Sequence, residues 1–492
     1  MRKSYTYLFI AANLFWVTIA LPQQIVSFNK AFSDFKSNTG LHNASIGICV
    51  MNAESGKVLF SYHDSSSLVP ASCLKIATTG AALGLLGTCH RFKTKIFYNG
   101  NIDESGTLHG DIVIFGGGDP TFGSERWGTN VMSSEVVQMR NKIIAKGINK
   151  IDGKLIVDLA YFDNEYCCRS WACDDTGNYF GAGASAFNIN ENKYDIKLQP
   201  GTQPGTNVKI ISCSPEQLHL HFVNHLVTGE LHSGDQSNIY PGKNDSSMVL
   251  EGSVQPSKST FTIKGAIPNP PAFAAAYIAG DFYYSGMLRN KTDWQINCGG
   301  AINVYKSLKI IDSSFESPDL INIVRYTNLN SINLYAECIL KETGKVIKGS
   351  GTRQSGIMAI KIYWYDHGID TSGLYMDDGC GLSRSDKITA LQLCEIQSVI
   401  EKKPYFQQFL NSLPVSGKSG AMKTMGKGTG IEGKLFAKTG HMELARAYCG
   451  YVKSPSGKWI CFAFLVNNYS SSSAAIHDSI EKLLVALAKV DD

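Results

Sequence analysis

Three apolar, strand-like runs close to the C-terminus, Lys434 to Ala437, Ala445 to Val452 and Trp459 to Val466, find their counterpart near the opposite end, where apolar residues alternate from Ser45 to Phe60. The N-terminal pair is broken by Asn52-Ala53-Glu54-Ser55-Gly56 and the last two C-terminal runs by Ser454-Pro455-Ser456-Gly457, turn sequences that predict hairpins. From Ala474 to Val490 the apolar residues Ile476, Ile480, Leu483, Leu484 and Leu487 switch to helical spacing. The economical fold is one antiparallel sheet assembled from both ends of the chain and covered by terminal helices, an α/β arrangement.

The middle reads differently. From about Cys89 to Ile267 short strand-like pieces such as Ile112 to Phe115 alternate with polar turns, which predicts a mainly β insertion. The boundaries expected are 23–90 and 290–492 for the sheet-and-helix domain and 91–289 for the insertion, which has room for two subdomains. Gly116-Gly117-Gly118-Asp119-Pro120 looks at first like a phosphate-cradling loop, but no Lys-Ser or Lys-Thr pair and no helical pattern follows, so a tight turn is expected.

At 492 residues and 43% hydrophobic content the chain exceeds one ordinary domain. A charged fraction of 18% and a net charge of +4, without a long Lys/Arg run, argue against disorder and against a nucleic-acid partner. Arg2 and Lys3 precede an apolar stretch from Leu8 to Ala20 that ends in Thr18-Ile19-Ala20, the pattern of an export signal over residues 1–20. That stretch is short of the about 20 residues that span a bilayer, so the mature chain is expected in the periplasm or cell envelope. The 13 cysteines are odd in number and cannot all pair within one chain. Cys167, Cys168 and Cys173 cluster near Asp174 and Asp175 but lack a matching CxxC or His pair, so a local disulfide or plain burial is expected rather than a metal site. Cys49, Cys338, Cys449 and Cys461 lie in apolar segments and read as small core residues.

Pro70-Ala71-Ser72-Cys73-Leu74-Lys75 leads into an almost wholly apolar run ending near Leu86, which predicts a buried helix started by Pro70, with Ser72 in its first turn and Lys75 on the same face. A serine hydroxyl is a poor nucleophile without a base in hydrogen-bond reach, and lysine serves as that base only when burial or positive charge lowers its pKa. Ser33-Asp34-Phe35-Lys36 and Ser479-Ile480-Glu481-Lys482 share the spacing but enter no buried run, and read as solvated surface pairs. Two further elements follow in order: Ser331-Ile332-Asn333, and the chain's single Lys438-Thr439-Gly440. Ser-x-x-Lys, Ser-x-Asn and Lys-Thr-Gly in this order mark β-lactamases and penicillin-binding proteins. Singly, each has a structural alternative as a helix cap or a strand end.

These motifs, with Gly116-Gly117-Gly118-Asp119-Pro120-Thr121 and Asp378-Gly379-Cys380-Gly381-Leu382-Ser383-Arg384, resemble those of the penicillin-binding protein 4 family, the class C low-molecular-mass penicillin-binding proteins, over nearly the whole mature chain. The resemblance implies a β-lactamase/transpeptidase-like domain whose insertion falls between the first two motifs, here 256 positions from Lys75 to Ser331. It implies a serine-type D-Ala-D-Ala carboxypeptidase and endopeptidase acting on peptidoglycan stem peptides and inhibited covalently by β-lactams. Ser72 is then the nucleophile, Lys75 its base and Ser331 the proton relay. Asn333, Lys438, Thr439, Gly440 and His441 bind substrate, with the backbone N–H groups of Ser72 and His441 as the oxyanion hole. No cofactor or metal is implied. Ser383 and Arg384 are either loop-structural or substrate contacts, and Asp158 is a candidate contact from the insertion.

Three positions depart from the family pattern: Cys380 replaces a usual serine, Asp386 a usual asparagine, and His441 a small or hydroxylated residue. A β-lactamase is the nearest competing enzyme, but the chain has no glutamate between Glu342 and Glu395 to serve deacylation as class A enzymes do. A non-catalytic wall-binding or penicillin-sensing module is the competitor from another class. The sequence leaves the oligomeric state open.

Overall fold

The computed structural model describes residues 23–217, 220–242, 246–299 and 307–491. The expected export signal over residues 1–20 lies outside them.

After helix α1 (Gln23–Lys36) the chain enters the predicted hairpin, β1 (Ser45–Asn52) and β2 (Val58–Tyr62). Asn52 closes its turn, the side-chain oxygen accepting from the N–H groups of Glu54 and Ser55. A single 3₁₀ turn, Ala71–Leu74, then precedes α2 (Lys75–Leu86). The α-helix therefore begins at Lys75 rather than at Pro70, and Ser72 sits on the tighter turn before it. Ala71 in that turn has φ of 46°, a left-handed conformation that costs a non-glycine residue energy.

The insertion follows. Strands β3 (Lys93–Tyr98), β6 (Ile112–Phe115) and β8 (Leu155–Asp158) form the middle of a five-stranded sheet, with β4 (Asn101–Ile102), β5 (Thr107–His109) and β7 (Lys150–Ile151) as a small flanking sheet. Its outer strands are β16 (Trp294–Asn297) and β17 (Lys309–Glu316), in the order β16-β8-β6-β3-β17. Strands β16 and β17, expected with the C-terminal half, thus pair back onto the sheet of β3, β6 and β8. Helices α3 (Val131–Ala145) and α5 (Pro270–Tyr284) contribute apolar faces to this sheet's core through Val136, Met139, Ile143, Ala275 and Ile278, so the region is less purely β than its turn-rich sequence suggested. Between them lie a one-turn helix α4 (Cys173–Thr176) and two further sheets. One is β10-β9-β15, from β9 (Lys193–Gln199), β10 (Lys209–Ser214) and β15 (Phe261–Ala266); the other joins β11 (His221–Asn224), β12 (Val227–Thr228) and β13 (Asp235–Pro241) around β14 (Ser247–Val254).

The Gly116–Pro120 segment is an irregular loop after β6 rather than the expected tight turn, its Gly116 and Gly118 N–H groups donating to the Asp158 and Ala186 carbonyls. Its glycines allow close backbone approach: a Cβ on Gly117 would fall 1.9 Å from the Lys93 carbonyl oxygen. Asp158, the candidate contact from the insertion, is instead buried at the end of β8, bonded to the Asn297 amide and the Ala160 N–H.

The C-terminal half supplies α6 (Leu320–Asn330), α7 (Asn333–Lys348), α8 (Arg353–Asp366), α9 (Ala390–Glu401) and α10 (Phe406–Leu410), then β18 (Leu435–Met442), β19 (Ala445–Lys453), β20 (Trp459–Asn467) and α11 (Ser473–Leu487). β18-β19-β20-β1-β2 is one antiparallel sheet from both chain ends. Both faces are covered, which explains the nearly continuous apolar runs in its strands. Cys49, Met51, Cys449, Cys461 and Leu465 face α2, α7, α8 and α9, while Ile48, Val50, Phe462, Phe464 and Val466 face α1 and α11. The surface Ser-x-x-Lys pairs at Ser33 and Ser479 lie on those two outer helices, away from the α2 face.

Phe464 is fully buried against the outer helices. Phe464→Ala is expected to lower unfolding free energy by about 3–5 kcal/mol, read from urea denaturation of the mature protein; a loss below about 1 kcal/mol would show that α1 and α11 contribute little to the sheet's core.

Candidate active site

Lys75, the first residue of α2, is fully buried, and its ammonium nitrogen donates to three acceptors: Ser72 Oγ at 3.0 Å, Asn333 Oδ1 at 2.6 Å and the Cys380 carbonyl at 2.7 Å. Burial pushes its pKa below the usual lysine range, opposed chiefly by Cys380, Asp378 and Glu337. The predicted Ser72/Lys75 pair therefore exists, and Lys75 has the lowered pKa that a general base requires.

Helices α6 and α7 deliver the second motif. Ser331 ends α6 in the left-handed region at φ 58°, and this reversal lets α7 begin two residues later with Asn333. Asn333 bridges: its oxygen accepts from Lys75, and its amide donates to the Phe180 carbonyl at 2.8 Å, tying the insertion to the site. Glu337, one turn further along α7, accepts from the Gly379 N–H at 2.6 Å and from Arg353 at 3.0 Å.

The Asp378–Ser383 loop presents the third acceptor. The Asp378 carboxylate takes N–H bonds from Cys380, Gly381, Leu382 and Ser383 and from the Trp171 indole, at 2.6–3.0 Å. Five donors on one carboxylate hold the loop rigidly, so the Cys380 carbonyl is aimed at Lys75. The Cys380 thiol itself is buried among Cys168, Trp171 and Ala336. Asp386 is buried beside this loop and accepts from the Asp377 N–H at 2.7 Å. Burial and the charge of Asp378 push its pKa well above the carboxylate range.

Lys438, Thr439, Gly440 and His441 lie within β18 rather than after it. This is an edge strand of the sheet, and Gly440 abuts the Ser72 turn so closely that a Cβ there would fall 2.3 Å from the Pro70 carbonyl oxygen. Gly381 approaches the same turn from the other side, 1.9 Å for a hypothetical Cβ to the Ala71 oxygen, and at φ 78°. Lys438 is fully buried and donates to the Thr439 carbonyl at 2.7 Å. Burial and the nearby Lys75 charge bring its pKa down to about 7. Partial burial and Arg446 push the His441 imidazole below its ordinary value. The N–H of Ala437 leaves the sheet edge to reach the Pro414 carbonyl, and by the two-residue period of a strand the N–H of His441 also faces outward.

A cleft of about 750 Å³ opens here, lined by Ser72, Ser331, Asn333, His441, Arg384 and Asp175 among others. Ser331 thus shares a cavity with Ser72. Of the undecided pair, Ser383 is buried and bonded to Ser170, whereas Arg384 faces the cleft. Phe180, Glu337 and Arg353 were not singled out by sequence reasoning, since each acts through a backbone group or a distant helix with no local motif, whereas Asp378 opens the Asp378–Arg384 motif already quoted. The cysteines are thiols, including Cys167, Cys168 and Cys173, so the alternative of a local disulfide is not formed.

A buried serine–lysine pair steadied by an asparagine, beside an edge strand carrying a buried second lysine, defines a serine acyltransferase or hydrolase site without a histidine base. A model of the D-Ala-D-Ala carboxypeptidase 3 (S13) family matches residues 29–490, and the chain belongs to that family of serine-type D-Ala-D-Ala carboxypeptidases. Among its relatives, the D-alanyl-D-alanine carboxypeptidase of Actinomadura sp. (strain R39) is 27% identical over 91% of this chain and 82% of its own length. The D-alanyl-D-alanine carboxypeptidase DacB of Haemophilus influenzae is 22% identical over 87% and 86%. The crystal structure of penicillin binding protein 4 from Haemophilus influenzae superposes with a TM-score of 0.78 at 20% identity, covering 93% of this chain and 99% of that one. The expected fold class is therefore borne out.

Asp378→Asn turns an acceptor surrounded by five donors into a group that must itself donate. The variant is expected to lose about 2–4 kcal/mol of stability in urea titrations, and a loss under about 0.5 kcal/mol would show that the loop is held by other contacts.

Proposed function

We propose that this chain hydrolyses peptidoglycan stem peptides ending in D-Ala-D-Ala, and the cross-links between them, through an acyl-enzyme on Ser72. The observation that carries this is the 3.0 Å contact between Ser72 Oγ and an ammonium whose pKa burial has lowered. Neutral Lys75 takes the Ser72 proton as Oγ attacks the penultimate D-alanine carbonyl. The N–H groups of Ser72 and of the outward-facing His441 donate to the developing oxyanion, a contribution of about 3–4 kcal/mol per donor in related chemistry. Ser331, in the same cavity, passes the proton to the leaving amine. Asn333 holds Lys75 and hydrogen-bonds the substrate backbone. Lys438 by charge and Thr439 by hydroxyl bind the terminal carboxylate, with Gly440 admitting the Ser72 turn. Water then releases the acyl group.

The same pathway makes β-lactams covalent inhibitors that leave slowly, because no glutamate stands between residues 342 and 395 to activate water for the ester. We place the mature protein in the periplasm or cell envelope, after loss of residues 1–20; among the described residues no helix is long and apolar enough to cross a membrane. The division into a peptidase domain and an insertion near residues 91–289 belongs to this proposal, with strand pairing favouring an insertion that runs on to Glu316.

Intact mass after incubation with penicillin, and with a peptide ending in D-Ala-D-Ala, tests the reading. A stable drug adduct and loss of one alanine from the peptide are expected, both abolished in Ser72→Ala. An unmodified wild type that leaves the peptide whole would point to a non-catalytic wall-binding module, and rapid turnover of the drug to a β-lactamase.

The two lysines give a pH dependence. Substrate carboxylate binding needs Lys438 protonated, and its pKa is lowered to about 7. kcat/KM for a free-carboxylate peptide is therefore expected to fall as pH rises above about 7, while an analogue with an amidated C-terminus shows no such limb. Identical profiles for the two substrates would remove Lys438 from carboxylate recognition.

A further inference from the structure

The cleft at Ser72 does not end at the peptidase motifs. It extends to Thr262 and Lys264 on β15 and to Lys193 on β9, both in the insertion. At about 750 Å³ it is of a size that holds a drug-sized ligand, far more than a dipeptide end. A second cavity of about 240 Å³, lined by Glu125, Asn190, Lys193, Asp195 and Ser214, adjoins it through the shared Lys193.

Strand periodicity shows what this surface presents. On β9 the buried residues are Tyr194, Ile196 and Leu198, so Lys193, Asp195, Lys197 and Gln199 share the opposite face. Register sets Lys264 directly across from Asp195, Thr262 across from Lys197 and, on β10, Lys209 across from Gln199. Asp195 thus has Lys193 and Lys197 two residues to either side and Lys264 opposite, and its one ion pair, to Lys193, is long at 3.6 Å. Three ammonium groups around one carboxylate leave the face with a surplus of positive charge. Arg126, on the same cleft, is already committed to Glu191 at 2.7 Å.

Substrate chemistry matches that surplus. When a terminal D-alanine is removed, the leaving group is one amino acid. When a cross-link is cut, the amide bond breaks, Ser72 takes the acyl half, and the amine that receives the proton belongs to an entire second peptide with its own carboxylates. We propose that the polar face of β10-β9-β15 is a second subsite, continuous with the cleft at Ser72, that holds the carboxylates of this second stem peptide through Lys193, Lys197 and Lys264. The inference rests on the peptidase reading above and assigns the cross-link's far half a place on the insertion.

The test compares steady-state kinetics of the mature enzyme and of Lys193→Gln/Lys264→Gln on a short acylated tripeptide ending in D-Ala-D-Ala, a sugar-free cross-linked peptide dimer, and the same dimer carrying its disaccharides. For both dimers KM should rise about tenfold in the double variant, the scale of one lost charge-assisted contact, with kcat unchanged. Kinetics on the short peptide should match the wild type, which also certifies that the variant is folded. Added salt should raise the wild-type KM for the dimers more than for the short peptide, whose carboxylate meets the buried Lys438. Equal dimer KM in variant and wild type overturns the subsite while leaving the peptidase intact, and an effect seen only with the disaccharides reassigns the face to glycan. A wild type that cuts the short peptide but neither dimer removes the cross-link reading and this subsite with it; a wild type that cuts none of the three refutes the peptidase itself.

Discussion

Everything in the active cleft is arranged around one buried ammonium group. An amine taken out of water without partners is costly, and Lys75 is tolerated because three oxygens converge on it, from its own turn, from α7 and from the 378–383 loop. The arrangement stops short of full charge compensation. None of the three acceptors is a carboxylate, and the acids Asp378 and Glu337 act from one layer away, occupied with backbone N–H groups and with Arg353. Burial therefore outweighs the electrostatic support, and the pKa falls below the usual lysine range.

That requirement organises the surrounding fold. Helix α7 carries Asn333 and Glu337 one turn apart, so a single helix sets one acceptor directly and another through Gly379 and the adjoining Cys380 peptide. The sheet edge and the loop then close on the Ser72 turn, and both closures need glycine, at Gly440 and Gly381, because the Pro70–Ala71 backbone lies where a side chain would begin. The strained Ala71 fits the same picture: the turn is held from both sides in a conformation that it would not choose alone. Lys438, buried close enough to Lys75 for the charges to repel, shares its environment and loses basicity with it.

The departures from the family pattern become intelligible at this level. Cys380 serves through its carbonyl, so exchanging a hydroxyl for a thiol inside a closed pocket leaves the contact with Lys75 in place. Asp386 stands near a usual asparagine, and burial and Asp378 raise its pKa. His441 lines the same cleft as Ser72.

Periodicity and turn chemistry in the sequence determined the sheet built from both chain ends, its hairpin and the closing helix, because those features are local and repeat every two or three to four residues. The Ser72, Lys75, Ser331, Asn333 and Lys438 motifs were legible for a similar reason: each is a short string with a fixed spacing. Only the tertiary structure decided what surrounds Lys75. The Cys380 carbonyl is a backbone group that any residue type offers, Phe180 contributes the same kind of atom from a distant segment, and Glu337 reaches Gly379 from a helix that no string of neighbours links to it. The 3₁₀ turn under Ser72, the pairing of β16 and β17 with the sheet of β3, β6 and β8 and the lysine-rich face of β9 likewise depend on which segments pack together. Sequence spacing names the groups that can react; burial and convergence from distant elements set their charge and aim.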